Sequence, residues 1–182
     1  MATPARTTIA ANKKRMKNMR DPIDILTKEH EAGMAHLEQL RRAAEIMKTE
    51  GFGYDAFNKI DESVQFIDSE IRRHNEKEEG YLFPLLELHV KGSSEIMRSD
   101  SIDLWKAINC LRECIKDIKE LRISPGTVRE LINYCSSIVE LLSNHFTKEN
   151  NVLFPMTKAL LSPDEYNQLK NDLAKAAPAV SP

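Results

Sequence analysis

The chain has 182 residues and a formal net charge of −2, and 41% of its residues are hydrophobic and 30% charged. These values are typical of one globular domain with a sizeable core, and the small net charge gives no general attraction to nucleic acid or membranes. No apolar run approaches the ~20 residues of a membrane span, and the N-terminus lacks the apolar stretch of a secretory signal. Three cysteines form no disulfide framework. We therefore expect a cytoplasmic protein with no membrane or nucleic-acid partner.

Four long segments have apolar residues at alternating spacings of three and four, the pattern of a helix with one buried face. Each begins at a capping or turn residue, and the starts are Asp21-Pro22, Gly53-Tyr54, Ser93 or Ser94, and Ser124-Pro125. A shorter segment begins at Ser162-Pro163 and has an acidic first turn. Because short connections force neighbouring helices to run antiparallel, the sequence predicts an all-α, up-down-up-down four-helix bundle with a short fifth C-terminal helix.

We divide the chain into four parts on this basis. Residues 1–20 are predicted to be a flexible basic tail, residues 21–156 the bundle, residues 162–175 the short helix, and residues 176–182 a disordered Pro/Ala tail. The basic residues of the first part are Lys13, Lys14, Arg15, Lys17 and Arg20. A mobile tail is the favoured interpretation, and a basic arm for an acidic partner is the alternative.

An internal repeat dominates the second half of helices two and four. His74–Pro84 reads HNEKEEGYLFP and His145–Pro155 reads HFTKENNVLFP, so each histidine is followed four residues later by a glutamate and then by Leu-Phe-Pro. On an α-helix four residues turn about 400° and rise about 6 Å. The histidine and glutamate of each copy therefore lie on one face and can reach the same or adjacent metal ions.

Both copies continue the buried face of their helices, where an unpaired carboxylate costs several kcal/mol. In an up-down bundle helices two and four are parallel, so the two copies lie at one level. His30, about two turns into the antiparallel first helix, falls at the same level. Three histidines and two glutamates then converge, which is the composition of a dinuclear site for iron or a similar metal. The candidate metal ligands are His30, His74, Glu78, His145 and Glu149.

The repeated motif, behind Lys28-Glu29-His30 in the first helix, resembles the hemerythrin-like, or HHE cation-binding, domain over roughly Asp21 to Pro155. The resemblance implies two non-haem iron ions, an oxo or hydroxo bridge, and Glu78 and Glu149 as bridging ligands. Manganese and zinc accept similar ligands. Members of this family bind dioxygen, sense oxygen or redox state, or handle iron and reactive oxygen or nitrogen species. Ferritin-like proteins place the glutamate three residues before the histidine, the reverse of the order here.

The third helix departs from the family pattern. Ser101 stands where the family usually supplies another histidine, and the chain has no histidine between His89 and His145. Asp100 or Asp103 could substitute, the site could keep an open coordination position for water or a small ligand, or it could hold only one metal. We favour the open position, which suits ligand binding or redox chemistry.

The residues around the ligands are less clearly defined by sequence. Glu29, Glu79 and Asp100 could each accept a hydrogen bond from a ligating imidazole, although solvated charges are the favoured interpretation. The aromatic residues near the motifs are interpreted as core rather than as pocket walls; they are Tyr81, Phe83, Trp105, Tyr134 and Phe154. His36 and His89 are excluded from the site by their helical positions, and Cys110 and Cys114 are too close on one helix for a good disulfide.

We predict a non-haem di-iron protein that binds or senses dioxygen or a related small oxidant, without catalytic residues of its own. One alternative is a di-iron enzyme, an oxidase, peroxidase or nitric oxide reductase, that reduces dioxygen, peroxide or nitric oxide. A second is an iron- or redox-responsive regulatory module that controls a partner through the basic tail. A third is a helical interaction bundle in which the buried histidines and glutamates only form hydrogen bonds.

Overall fold

The computed structural model describes residues 21–176, and within that range the chain is helical with no strand. We number its five helices α1 (Pro22–Glu50), α2 (residues 54–89), α3 (Glu95–Lys119), α4 (residues 125–160) and α5 (Pro163–Ala176). The predicted all-α class is confirmed. The predicted tails, residues 1–20 and 177–182, lie outside the described residues, and Ala176, assigned by sequence to the second tail, is the last residue of α5.

The helix starts follow the capping chemistry of the sequence. The Asp21 side chain accepts hydrogen bonds from the backbone N–H groups of Ile23 and Asp24 at 2.9 and 3.3 Å, and Ser124 accepts one from Thr127 at 3.0 Å. These bonds satisfy donors that the first helical turn leaves free. Ser94 precedes α3 as predicted, but its hydroxyl bonds to the Glu87 carboxylate instead of capping the helix.

Two helices contain π-helical segments near the repeat, and two of these segments begin at its glutamates. In α2 they are Ile67–Ile71 and Glu78–Leu82, and in α4 the segment is Glu149–Leu153. The second helix continues through Pro84 to residue 89. Proline lacks an N–H group and its ring clashes with the carbonyl four residues earlier. A wider π turn before the proline relaxes both constraints, and such turns are common at functional sites.

The helices pack in a ring, with α1 against α2 and α4, and α3 against α4 and α2. The main apolar core extends from Leu37 to Met47 on α1 and includes Ile71 and Phe146. A second apolar cluster, at the other end, includes Leu26 and Leu82 and is closed by Leu169 and Leu173 of α5. His30, Glu78 and Glu149 lie between these two clusters along their helices. No helix of residues 21–176 is long and apolar enough to cross a membrane.

Candidate metal centre

Three helices bring the five predicted ligands together in the interior. We call this set the His/Glu cluster: His30 on α1, His74 and Glu78 on α2, and His145 and Glu149 on α4. Each of the five residues is at most 2% exposed. Burial of two carboxylates and three imidazoles between two apolar layers is costly unless a cation compensates it.

The distances inside the His/Glu cluster fit atoms that could share a cation. The Nε2 atoms of His30 and His74 are 2.9 Å apart, and Glu149 Oε2 is 2.9 Å from His30 Nε2 and 3.9 Å from His74 Nε2. Glu78 Oε1 is 3.5 Å from His74 Nε2. One ligand atom from each of these four residues lies within 4.8 Å of the others. With metal–ligand bonds of about 2.0–2.2 Å, donors on one ion are separated by about 3–4 Å.

In His30 and His74 the hydrogen bond of the outer ring nitrogen, Nδ1, determines whether the inner nitrogen, Nε2, carries a proton or a lone pair. His74 Nδ1 lies 2.9 Å from a Glu29 carboxylate oxygen, and His30 Nδ1 lies 3.0 Å from the Asn150 amide oxygen. Both partners are acceptors, so both Nδ1 atoms are N–H donors. In the neutral imidazoles, the two Nε2 atoms then direct lone pairs at each other across 2.9 Å. Only a positive charge between them, a proton or a metal ion, makes this contact favourable.

Several polar atoms of the His/Glu cluster also lack a hydrogen-bonding partner among the described residues. They are Glu78 Oε1, both Glu149 carboxylate oxygens, and both ring nitrogens of His145. His145 Nε2 is nevertheless 2.8 Å from Glu149 Oε1. The short distance without hydrogen-bond alignment means that these atoms point to a common space rather than at one another. Buried atoms left unsatisfied in this way fit an ion-binding position.

The two oxygens of Glu149 face different histidines. Oε2 faces His30 and Oε1 faces His145, as expected of a carboxylate that can bridge two positions. The outer nitrogen of His145 is less well supported than those of His30 and His74, because Asp100 Oδ2 is 4.0 Å from it and bonds to Lys148 instead. The two sides of the His/Glu cluster are therefore unequal.

The pKa values of these groups reflect competition between burial and neighbouring charge. Burial lowers the pKa of His74, but Glu78 and the other carboxylates outweigh this effect and hold it well above its ordinary value. Burial and the charge of Glu149 raise the pKa of Glu78 to about 7. Burial alone would raise the pKa of Glu149, yet its contacts with His145 and His30 hold it well below the usual range. At His30, in contrast, burial is the stronger effect and lowers the pKa below its ordinary value.

Two aromatic side chains stack on the ring of His30, the first candidate ligand. The His30 ring stacks on Phe146 with centroids 4.1 Å apart and on Phe154 at 5.2 Å. Gly33, one turn further along α1, leaves room for Phe146, because a Cβ atom there would lie 2.8 Å from its Cε2 atom. Phe154 was interpreted from sequence as core; it is buried in the second apolar cluster and also contacts a candidate ligand.

Glu29 belongs to the site, although sequence analysis favoured a solvated charge. Its second carboxylate oxygen binds the ammonium group of Lys77, a lysine only 6% exposed. Burial raises the pKa of Glu29, but the bonds from His74 and Lys77 outweigh it and lower the pKa. Sequence analysis missed Lys77 and Asn150. The sequence signal that could have identified them is their position next to a predicted ligand, since Lys77 precedes Glu78 and Asn150 follows Glu149.

Other residues considered from sequence lie elsewhere. Glu79 pairs with Arg98 at 2.9 Å, and Asp103 is exposed and pairs with Lys106. His36 stacks on Phe66, and His89 pairs with Glu165 of α5. Ser101 on α3 accepts a hydrogen bond from Asn75 at 3.4 Å. The structure therefore keeps His36 and His89 apart from the His/Glu cluster, as expected from sequence.

The sequence model of the hemerythrin HHE cation-binding domain matches residues 21–157. The chain belongs to this hemerythrin HHE family. The predicted resemblance is confirmed, and the match includes all five residues of the His/Glu cluster. A buried cluster of histidine and glutamate side chains in an HHE cation-binding domain fits metal binding.

Two curated relatives of this hemerythrin HHE chain are proteins named iron-sulfur cluster repair protein YtfE. The one from Dickeya chrysanthemi is 24% identical over 140 residues, which cover 73% of this chain and 62% of the relative. The one from Cronobacter sakazakii is 25% identical over 100 residues, which cover 53% of this chain and 45% of the relative. The matches thus span about half of the length of these relatives.

Proposed function

We propose that this protein is a non-haem di-iron protein that binds or senses dioxygen or a related small oxidant in the cytoplasm. The observation that supports it most directly is the convergence of five buried imidazole and carboxylate groups. Three of them, Glu78, His145 and Glu149, have buried polar atoms without a hydrogen-bonding partner among the described residues. We further propose that α1 to α4 form an up-down-up-down bundle, with residues 21–156 as its domain. Short connections and the ring of helix contacts favour that topology.

We propose two metal positions because the two carboxylate oxygens of Glu149 face different histidines. His30, His74 and Glu149 Oε2 would hold the first ion, and His145 and Glu149 Oε1 the second. Glu78 is close enough to His74 to complete the first position, and the family resemblance implies that it would also help to hold the second ion. The second position has one imidazole where the first has two, so it would bind metal more weakly and keep an open coordination site.

Iron bound in this site would supply electron exchange with a small oxidant. The chain's own residues control the surroundings. Glu29 and Asn150 hold the outer nitrogens of His74 and His30, which fixes the direction of their inner lone pairs. Phe146 and Phe154 exclude water from the faces of His30. A dry site with oriented ligands favours the binding of a small neutral oxidant over the binding of anions from solvent.

A second candidate function is the repair of iron–sulfur clusters, which the names of the two curated relatives suggest. The matches include much of this chain but only part of the relatives. The test is recovery of activity by a purified iron–sulfur dehydratase whose cluster has been damaged with peroxide. Faster recovery with this protein than with its His74→Ala variant would support repair, and equal recovery would exclude it.

The proposed centre is tested by metal analysis and a visible spectrum of untagged protein before and after exposure to air. We expect about two irons per chain and a charge-transfer band that changes with oxidant. His145→Ala should lose mainly the second iron, and His74→Ala should lose most of both. His36→Ala and His89→Ala are the controls and should retain the metal. Equal loss of metal from all four variants would refute the assignment of the ligands.

A further inference from the structure

The internal repeat also contains a lysine three positions after each histidine, Lys77 in α2 and Lys148 in α4. In each copy this lysine binds a carboxylate of a neighbouring helix. Lys77 pairs with Glu29 of α1, and Lys148 Nζ is 2.5 Å from Asp100 Oδ2 of α3. The two carboxylates are similarly placed, since the Glu29 side chain is 28% exposed and that of Asp100 24%. The repeat thus builds the same ion pair on two sides of the helical domain.

Each carboxylate also faces the outer nitrogen of a candidate ligand. Glu29 Oε2 accepts a 2.9 Å hydrogen bond from His74 Nδ1, whereas Asp100 Oδ2 is 4.0 Å from His145 Nδ1. The Nδ1 atom of His145 is buried and has no hydrogen-bonding partner in residues 21–176. A hydrogen bond from nitrogen to oxygen spans at most about 3.2 Å. The contact that is closed in the first copy is therefore open by roughly 1 Å in the second.

An unpartnered Nδ1 atom is unfavourable if His145 binds a metal ion through Nε2. A neutral imidazole that offers the lone pair of Nε2 carries its proton on Nδ1, and a buried N–H group without an acceptor has lost its hydrogen bonds to water. A cation at Nε2 also makes the N–H group a stronger donor, because it withdraws electron density from the ring. Asp100 is a nearby acceptor, and the Lys148 side chain that holds it is 44% exposed. Water can therefore solvate the Lys148 ammonium group if the carboxylate moves towards His145.

We propose that Asp100 is the positioning residue of His145. It accepts a hydrogen bond from His145 Nδ1 when the second metal position is filled, as Glu29 does from His74. This inference rests on the proposed second metal position. Asp100 lies beside Nδ1, whereas Nε2 faces Glu149. The third helix, which lacks the histidine of the family pattern, therefore orients a ligand through Asp100 and does not replace one.

The first test compares two binding steps in the full chain. Metal-free protein is titrated with Zn²⁺, a diamagnetic ion that binds histidine and carboxylate ligands, in competition with a chelator. Asp100→Ala should weaken the second step by about 10- to 100-fold and leave the first unchanged, and Asp100→Asn, which keeps an oxygen acceptor, should weaken it less. Asp103→Ala is the matched control, because Asp103 is exposed on the same helix and pairs with Lys106; both of its steps should equal those of the parent.

The second test observes the proposed hydrogen bond itself, which a merely structural role of Asp100 would not produce. In zinc-loaded protein with ¹⁵N-labelled histidine, the Nδ1–H proton of His145, assigned by its loss in His145→Gln, should exchange slowly with water. It should exchange much faster in Asp100→Ala and remain slow in Asp103→Ala.

Two results would overturn the proposal in a parent protein that binds two ions: an unchanged second binding step in Asp100→Ala, or a His145 Nδ1–H proton that exchanges equally fast in the parent and in that variant. A parent that binds fewer than two ions would instead refute the second metal position, and this inference with it.

Discussion

Replacing Glu29 by glutamine separates two roles of this residue, the orientation of His74 and the neutralisation of Lys77. The carboxylate accepts a 2.9 Å hydrogen bond from His74 Nδ1 and an ion pair from the Lys77 ammonium group. Glutamine keeps the shape and one oxygen acceptor but loses the charge. Its amide NH₂ group would also face a buried ammonium group, so one contact weakens and the other becomes unfavourable.

The expected magnitudes follow from these contacts. Loss of the charged partner leaves Lys77, at 6% exposure, with an uncompensated charge, so the free energy of unfolding should fall by about 1–3 kcal/mol. Metal affinity should fall by about 10- to 100-fold, as is usual when the partner of a ligating histidine is changed. The double variant Glu29→Gln/Lys77→Met should regain most of the stability, because the buried charge is gone, but it should not regain the metal affinity.

The assay is a double-mutant cycle measured in two ways, by chemical denaturation of the metal-free protein and by competition for iron with a chelator. Glu31→Gln is the control, since Glu31 is exposed on the same helix; it should change neither quantity. Unchanged metal affinity in Glu29→Gln would refute the orienting role. Recovery of metal affinity together with stability in the double variant would show that Glu29 acts on the fold alone.

Two further predictions concern the fold around the site. Gly33→Ala places a Cβ atom 2.8 Å from Phe146 and should lower the free energy of unfolding by about 1–3 kcal/mol. At Gly80 a Cβ atom meets nothing within 4 Å, so Gly80→Ala should be neutral or stabilising by up to about 1 kcal/mol. Equal unfolding free energies of the two variants would contradict this prediction. Hydrogen bonds from the Ser94 hydroxyl and from backbone N–H groups lower the pKa of Glu87 from 4.5 to about 2. The contribution of Glu87 to stability is therefore complete above pH 4.5 and is lost as the pH falls towards 2. The free energy of unfolding of Glu87→Gln, measured by denaturation, should depend less on pH in this range than that of the parent. An unchanged dependence on pH would exclude this role.

The primary structure was enough to identify the family and the five candidate ligands. Both histidine–glutamate pairs are separated by four residues on the buried face of a helix, and this spacing alone places each pair together. The Asp21 and Ser124 caps also followed from local chemistry, because a capping side chain bonds to backbone groups two or three residues away. Such features need no knowledge of the neighbouring helices.

Contacts between helices were decided only by the tertiary structure. Glu29 and Asn150 reach histidines on other helices, and the two oxygens of Glu149 face different imidazoles. These contacts depend on the axial offset and rotation of one helix relative to another and on side-chain rotamers, which a helical period does not specify. The π-helical segments were likewise invisible in the pattern, because a single wider turn shifts the register of a helix without changing which residues are apolar. The sequence by itself thus determined which groups meet in the interior, and packing decided how each group is oriented and which partner supports it.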